Sequence, residues 1–175
     1  MGSRSRARKS APYLVLFLWV SRVSAQSCLV LSPAASAANG TVTLELSLFS
    51  QFGKGPAAVQ WTFQYSSSSI ASLIVDDGPA LTAAGKTAMC YGNAQAYNCL
   101  AAGSNANTIA NGIIAKLTAT LVPGTTATAI SIHSVQGASP PGYFVTVRSH
   151  VLLTPASVTP LDCQSRPPRR GPIRQ

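Results

Sequence analysis

Strict alternation of apolar and polar side chains is the feature that most constrains this chain. It runs through "TVTLELSLF" (41–49), "AAVQWTFQYS" (57–66) and "GIIAKLTATLVPG" (112–124). A period of two is typical of strands with one buried face. Turn signals such as Asn39-Gly40 separate the runs, and no long segment keeps a helical period. The pattern predicts an all-β sandwich of roughly nine strands in one domain.

The alternation also assigns side chains to faces. In the 57–66 run, Val59, Trp61 and Phe63 share one side and are expected in the core. In the 112–124 run, the apolar side is expected to begin at Ile113 and continue through Ala115 and Leu117. "NANTIANG" (105–112) interrupts the strand pattern and is compatible with a single helical turn, and Asp76 and Asp77 are expected in a turn after a short strand.

The net charge of +9 is concentrated at the ends of the chain. Between Gln26 and Pro160 the chain has four basic residues and three acidic ones, so the net charge of this part is about +1. The basic residues are Lys54, Lys86, Lys116 and Arg148, and the acidic residues are Glu45, Asp76 and Asp77. Nucleic-acid binding needs a basic face on the folded part, so this distribution excludes it.

The first 25 residues have the order of a secretory signal peptide. A basic segment (1–10) precedes ten mostly apolar residues (11–20), and "VSA" (23–25) fits a cleavage site. Ten residues are too few for a transmembrane helix, which needs about 20. We therefore expect a signal peptide at 1–25, no transmembrane segment, and an extracellular protein, either free or associated with the cell surface.

Export makes the four cysteines candidates for disulfides, for which three pairings exist. Cys90 and Cys99, within "MCYGNAQAYNCL" (89–100), are close enough to close a small loop. Cys28 and Cys163 lie near the two ends of the exported domain. There is no C-x-x-C pair, so the spacing does not favour zinc.

The order of the strands resembles that of cohesin domains. "GPAAVQWTFQYSSSSIASLIV" (55–75) resembles the third and fourth cohesin strands, "NGIIAKLTATLVPG" (111–124) a later strand, and "NGTVTLELSL" (39–48) the second. The resemblance covers about three quarters of the chain, and we place the domain at 26–155, followed by an irregular Pro- and Arg-rich tail or linker stub at 156–175. It implies a nine-stranded jelly-roll sandwich and a partner, the dockerin module.

The resemblance also bears on two details. Cohesins carry a polar pair on the outward side of strand three that contacts dockerin, and this pair falls here on Ala58 and Gln60, so the contact must differ. The first and last strands of cohesins run parallel, so Cys28 and Cys163 would meet only if the tail folded back. The segment from Thr154 to Cys163 can span up to about 33 Å.

The residues do not favour an enzyme. The exported part has four carboxylates, and the adjacent pair Asp76 and Asp77 diverges in extended backbone, whereas a glycosidase needs two facing carboxyl groups. No G-x-S-x-G elbow accompanies His133 and His150. We predict a non-catalytic protein that needs no cofactor and binds no metal.

Two surfaces are candidate binding sites. One is the outward side of strand three, with Gln60, Thr62 and Gln64, which suits hydrogen bonding to a partner. The other is the loop with Tyr91, Asn93, Tyr97 and Asn98, which could offer aromatic and amide groups to a sugar; the alternative is that its tyrosines pack on the sandwich.

We therefore expect an exported, monomeric binding or docking module whose partner is a dockerin-like module or a polysaccharide. The alternative is a structural or adhesive cell-surface domain with neither partner.

Overall fold

A computed structural model of the chain describes residues 27–33, 40–51, 55–93, 95–125 and 129–152. These residues form two five-stranded sheets and one short helix. The expected signal peptide at 1–25 and tail at 156–175 lie outside the described residues. The all-β sandwich prediction is confirmed.

The first sheet has the strand order β10-β1-β2-β7-β4. Its strands are β1 (Ser27–Pro33), β2 (Thr41–Ser50), β4 (Ile70–Asp77), β7 (Gly112–Leu121) and β10 (Val147–Val151). Strands β1 and β10 pair in parallel, as the cohesin resemblance implies, and the other pairs in this sheet are antiparallel.

The second sheet has the order β5-β6-β3-β8-β9 and is antiparallel throughout. Its strands are β3 (Ala58–Tyr65), β5 (Thr87–Gly92), β6 (Ala96–Ala102), β8 (Ile130–Ala138) and β9 (Phe144–Val145). The described count is ten rather than nine, because the last predicted strand is divided at Thr146 into β9 and β10.

The core lies between the sheets, where each strand contributes its alternate apolar residues. Trp61 and Phe63 are fully buried and contact each other edge to face, with ring centroids 6.1 Å apart. Leu29, Leu48 and Leu117 of the facing sheet are also fully buried. The expected burial of Trp61 is confirmed, and packing of this kind supplies most of the stability of a sandwich.

A β-bulge shifts the face of β7 by one residue. The pairing of β2 with β7 is irregular between Leu46 and Ser47, which oppose Ala115 and Ile113. The additional residue, Ile114, is fully buried, whereas Ile113 is only partly buried. The expectation that the buried side of this strand begins at Ile113 is therefore wrong, because the bulge inserts one residue into the alternation.

Two local expectations are also wrong. Asp76 and Asp77 are the last residues of β4, opposite Lys116 and Ala115, and the chain turns only after them, at helix α1 (Pro79–Ala83). Residues 106–110 are irregular instead of helical. The asparagines of this segment bond to other parts of the backbone: Asn107 donates to the Ala84 carbonyl, and Asn111 bonds to Ser50.

Among the described residues, no helix is long and apolar enough to cross a lipid bilayer.

Candidate functional site

The outward side of β3 presents two exposed amide side chains. Gln60 and Gln64 are exposed, while their neighbours Val59, Trp61 and Phe63 are fully buried on the other side. Thr62 also points outward, but it is largely covered, since its hydroxyl donates to Oδ1 of Asn98 on β6 at 2.7 Å. A hydrogen bond across two strands holds this part of the surface in one conformation.

The cysteines of the β5–β6 hairpin lie on its core side. Cys90 and Cys99 are directly opposite each other and form a disulfide. Cys99 is buried, and on its other side it is the cross-strand neighbour of Trp61. Because side chains alternate along a strand, the residues next to these cysteines point outward. The disulfide thus crosslinks β5 and β6 on the core side, and it does not occupy the outward side of the hairpin.

The tyrosines of this hairpin point in opposite directions. Tyr91 is 71% exposed and lies opposite Asn98. Tyr97 lies opposite Phe63 and packs, partly buried, against the core. Of these two candidates, the structure places Tyr91 on the outward side and Tyr97 on the core side.

Asn93 forms the turn of the hairpin. Its Oδ1 accepts hydrogen bonds from the backbone N–H groups of Gln95 and Ala96, at 3.1 and 3.2 Å. Its carbonyl accepts one from the Tyr65 hydroxyl at 3.2 Å. A Cβ at Gly92 would collide with the Ala96 carbonyl, so glycine is required before this turn. The bonds of Asn93 are those of a turn-forming residue.

Burial raises the pKa of Tyr65, and the nearby Tyr97 raises it further. Both effects favour the protonated hydroxyl, which is the form that donates to the Asn93 carbonyl.

The two predicted surfaces form one continuous face. The strand register aligns Tyr91, Asn98, Thr62 and His133 in one row across β5, β6, β3 and β8. A second row contains Met89, Leu100, Gln60 and Gln136. We call the outward side of these four strands the β3 face. It brings together five of the seven predicted residues, Gln60, Thr62, Gln64, Tyr91 and Asn98, and leaves out Asn93 and Tyr97.

Apolar residues at one side of the β3 face were not predicted from the sequence. Met89 is 57% exposed and Leu100 is 36% exposed, and they are direct cross-strand partners beside Tyr91. Exposed apolar groups grouped around an aromatic ring are typical of binding surfaces. The sequence alternation did indicate their exposure. Met89 and Leu100 are each adjacent to a cysteine that points to the core, so their own side chains point outward.

The β3 face contains no Asp, Glu, Lys or Arg among the residues that the structure describes. Asp77, at the end of β4, is engaged with the edge strand β5, where its Oδ1 accepts a hydrogen bond from the backbone N–H of Ala88 at 2.7 Å. His133 is exposed on the face, and its Nε2 is 3.0 Å from the Ser131 hydroxyl. Recognition at this face would therefore rest on amides, hydroxyls and apolar contacts.

A shallow depression of ≈ 580 Å³ adjoins the β3 face. Its lining is mainly hydroxyl and amide groups, contributed by Gln64, Tyr65, Ser66, Gln95, Ala96 and Ser131. Within the described ranges, no three His, Cys, Asp or Glu side chains lie close enough to hold a metal ion.

Other proteins of known structure have the same two-layer sandwich fold. No protein-family model matches the sequence, and no curated protein matches it. Solved structures do match, and cohesin modules are among them.

Three of these structures illustrate the similarity. The sixth cohesin of scaffoldin B from Acetivibrio cellulolyticus, solved in complex with a Cel5 dockerin, is 14% identical with a TM-score of 0.61 over 72% of this chain and 97% of that chain. The OlpA cohesin of Clostridium thermocellum, in complex with the dockerin Doc918, is 9% identical with a TM-score of 0.60 over 73% and 99%. A non-cellulosomal cohesin from the archaeon Archaeoglobus fulgidus is 11% identical with a TM-score of 0.53 over 72% and 86%. The protein therefore has a cohesin-like fold.

Proposed function

We propose that this protein is an exported, non-catalytic docking module that binds a dockerin-like protein module through its β3 face. One observation carries the proposal: strand three, the strand through which the cohesin resemblance implies contact, lies at the centre of an open face with Met89, Tyr91 and Leu100 exposed at one side. Two of the similar structures are complexes with dockerins. The four strands of the β3 face span about 14 Å at about 4.8 Å per step, enough for a protein partner to lie across them.

The chemistry of the β3 face supports a contact that differs from the polar pair through which cohesins contact dockerin. The corresponding positions are Ala58 and Gln60, so a partner would meet one amide and a small apolar residue. A charged partner residue buried here would find no opposite charge among the described residues of the face, which is unfavourable. We therefore expect a partner whose contact surface is polar but uncharged, with apolar residues opposite Met89 and Tyr91.

Export is supported by the sequence of residues 1–25 and by the Cys90–Cys99 disulfide. Disulfides persist in oxidising compartments and are rare in the cytosol. The proposed location is extracellular.

A second candidate function is carbohydrate binding. The depression beside the β3 face is lined by two amides and several hydroxyl groups, and Tyr91 is exposed across the sheet. Hydroxyl-rich ligands pair with such groups, and aromatic rings cover the apolar faces of sugars. The depression is shallow, so this candidate predicts weak binding.

The test measures binding of a panel of purified dockerin modules, and separately of insoluble polysaccharides, to the exported protein by calorimetry and pull-down. Gln60→Arg places a charge at the centre of the β3 face and is expected to weaken dockerin binding at least about tenfold. Thr120→Arg is the matched control, because Thr120 is exposed on the outward side of the other sheet.

The outcomes separate the candidates. Dockerin binding that Gln60→Arg weakens and Thr120→Arg does not would support docking at the β3 face. Polysaccharide binding alone, lost in Gln64→Ala, would favour the carbohydrate candidate. Binding of neither class would overturn the docking proposal and favour a structural or adhesive domain.

A further inference from the structure

The β8–β9 hairpin carries two exposed aromatic side chains. Phe144 is 88% exposed and Tyr143 is 74% exposed, the largest exposed fractions of any large apolar side chain among the described residues. Aromatic rings are enriched at contacts between proteins. This hairpin is therefore a candidate contact surface in addition to the site described above.

Phe144 points to the same side as the β3 face. Gln60 on β3 lies opposite Gln136 on β8, and Ala58, two residues before Gln60, lies opposite Ala138. Ala138 in turn lies opposite Phe144. Residues two apart along a strand share a side, and so do direct cross-strand partners, so Phe144 projects outward. Strand β9 thus adds a fifth strand to this surface, at the opposite edge from β5.

The turn that precedes β9 is closed by hydrogen bonds. The backbone N–H and the hydroxyl of Ser139 donate to the Tyr143 carbonyl at 2.8 and 3.2 Å, and the same hydroxyl accepts the Tyr143 N–H at 3.2 Å. The N–H of Gly142, which has a φ of 89°, donates to the Ser139 carbonyl at 2.8 Å. Pro140 and Pro141 further restrict the backbone of the turn. The backbone before β9 is therefore ordered before any partner binds, which lowers the entropic cost of a contact.

Two apolar edges of the extended surface flank a polar centre. Met89 and Leu100 lie at the β5–β6 edge, and Phe144 lies at the β9 edge. The amides of Gln60 and Gln136 lie between these edges. The four steps from β5 to β9 span about 19 Å at about 4.8 Å each. A ligand that covers both edges and the amides between them is therefore of macromolecular size.

The surroundings of Phe144 favour a protein partner over a polysaccharide. A sugar that stacks on an aromatic ring also needs hydrogen bonds for its hydroxyl groups, since burying them unpaired is costly. The residue opposite Phe144 is Ala138, and the next residue in the row is Ala58, so their side chains offer no donor or acceptor. An apolar side chain of a protein has no such requirement.

We propose that Phe144 is a second anchor for the partner of the β3 face, an inference that rests on the docking function proposed above. The partner is a dockerin-like module with two apolar groups roughly 20 Å apart on its contact surface. One group covers Phe144, the other covers Met89 and Tyr91, and uncharged hydrogen-bonding residues lie between them. The row of Phe144 includes Ala58, one of the two positions of the polar cohesin pair, so an apolar contact replaces a polar one here.

Calorimetry with the panel of purified dockerin modules tests the second anchor. Phe144→Ala is expected to weaken binding at least about tenfold, as truncation of an aromatic anchor does. Phe144→Leu keeps an apolar side chain, and its affinity is expected to stay within about threefold of the native value. Both changes are at an exposed position and should leave the fold intact.

Tyr143→Ala is the matched control. Tyr143 is also an exposed aromatic residue, and it continues the hairpin register opposite Ser139. Because adjacent side chains in extended backbone point to opposite sides, its ring is directed away from the β3 face. Tyr143→Ala is expected to change the affinity less than about twofold. Equal losses in Tyr143→Ala and Phe144→Ala would overturn the second anchor.

Gln60→Arg, measured beside these variants, separates this inference from the docking proposal. Loss of affinity in Gln60→Arg and Phe144→Ala, with Tyr143→Ala unchanged, would support both. Loss in Gln60→Arg alone would overturn the second anchor and leave docking at the β3 face in place. Binding of no dockerin would overturn both. Polysaccharide binding that is lost in Phe144→Ala would assign Phe144 to a sugar and overturn the protein partner.

Discussion

Cys90 and Cys99 are direct cross-strand partners, with Cα atoms 4.1 Å apart, and their disulfide lies on the core side of the hairpin. The bond fixes the pairing of β5 with β6 at Cys90, three residues before the turn at Asn93. It therefore also fixes where Tyr91 and Asn98 meet on the outward side. A covalent bond on one side of the sheet determines the arrangement of the candidate binding surface on the other.

Replacing both cysteines should lower the stability of the domain. In the chain-entropy model, a disulfide that closes so short a loop contributes about 3 kcal/mol. We expect Cys90→Ala/Cys99→Ala to lower the free energy of unfolding by about 2–3 kcal/mol, measured by urea denaturation without reductant. Thr87→Ala, at an exposed position of the same strand, is the control and should change it by less than about 0.5 kcal/mol. A loss below about 1 kcal/mol in the double variant would contradict this role.

The two tyrosines of the hairpin should respond differently to truncation. Tyr97→Ala removes a ring packed against the core and should cost about 2–3 kcal/mol of stability. Tyr91→Ala should leave stability within about 0.5 kcal/mol, because the ring is exposed, and should weaken partner binding about tenfold. Thermal denaturation and calorimetry measure the two effects. The opposite pattern would place Tyr97, and not Tyr91, on the binding surface.

The alternation of apolar and polar residues predicted the two sides of β3 correctly, because the direction of each side chain is set by its position along its own strand. Val59, Trp61 and Phe63 are buried, and Gln60 and Gln64 are exposed. The union of the two candidate surfaces was not predictable in the same way. It depends on β6 lying between β5 and β3, which places Asn98 against Thr62 across a sequence separation of 36 residues. A local period carries no information about such neighbours.

The errors in the sequence prediction have local physical causes. The buried side of β7 includes Ile114 because one bulge shifts the alternation, and a bulge leaves no mark on hydrophobicity. The segment after Gly103 is irregular because Asn105 and Asn107 bond to the backbone of the α1–β5 turn. Such side-chain bonds compete with helix formation, and their partners become apparent only once the chain has folded.

Trp61 should tolerate phenylalanine much better than alanine. The indole is fully buried, and its Nε1 has no hydrogen-bond partner among the described residues. Trp61→Ala should cost about 3–5 kcal/mol through the cavity that it leaves. Trp61→Phe creates a smaller cavity and removes the unpaired donor, so we expect a cost below about 2 kcal/mol, measured by urea denaturation. Equal costs would contradict the account of Nε1 as an unsatisfied group.

Binding at the β3 face should depend only weakly on salt. The described residues of the face include no Asp, Glu, Lys or Arg, so there are no opposite charges for ions to screen. We expect the affinity for a dockerin-like partner to change less than about threefold between about 0.05 and 0.5 M salt, as measured by calorimetry. A tenfold loss would indicate that charged residues outside the β3 face carry the contact.

The stability of the domain should be sensitive to Asn105, because its side chain joins two segments, residues 84–86 and 105–107. Its Nδ2 donates to the carbonyls of Ala84 and Gly85, at 3.1 and 3.0 Å. Its Oδ1 accepts the backbone N–H of Asn107 and Nζ of Lys86, each at 3.0 Å, and Lys86 is only 3% exposed. Asn105→Ala would remove one hydrogen-bond acceptor from the buried amino group of Lys86. We expect the free energy of unfolding to fall by about 2–4 kcal/mol.

Two further variants separate the roles of Asn105 and Lys86. Ser104→Ala, at the exposed neighbouring position, should leave the free energy of unfolding unchanged within about 0.5 kcal/mol. Lys86→Met should cost less in the Asn105→Ala background than in the native protein, since the amino group it removes has already lost an acceptor. Urea denaturation of the four proteins gives the coupling between the two residues. Additive effects would show that Lys86 does not depend on the Asn105 side chain.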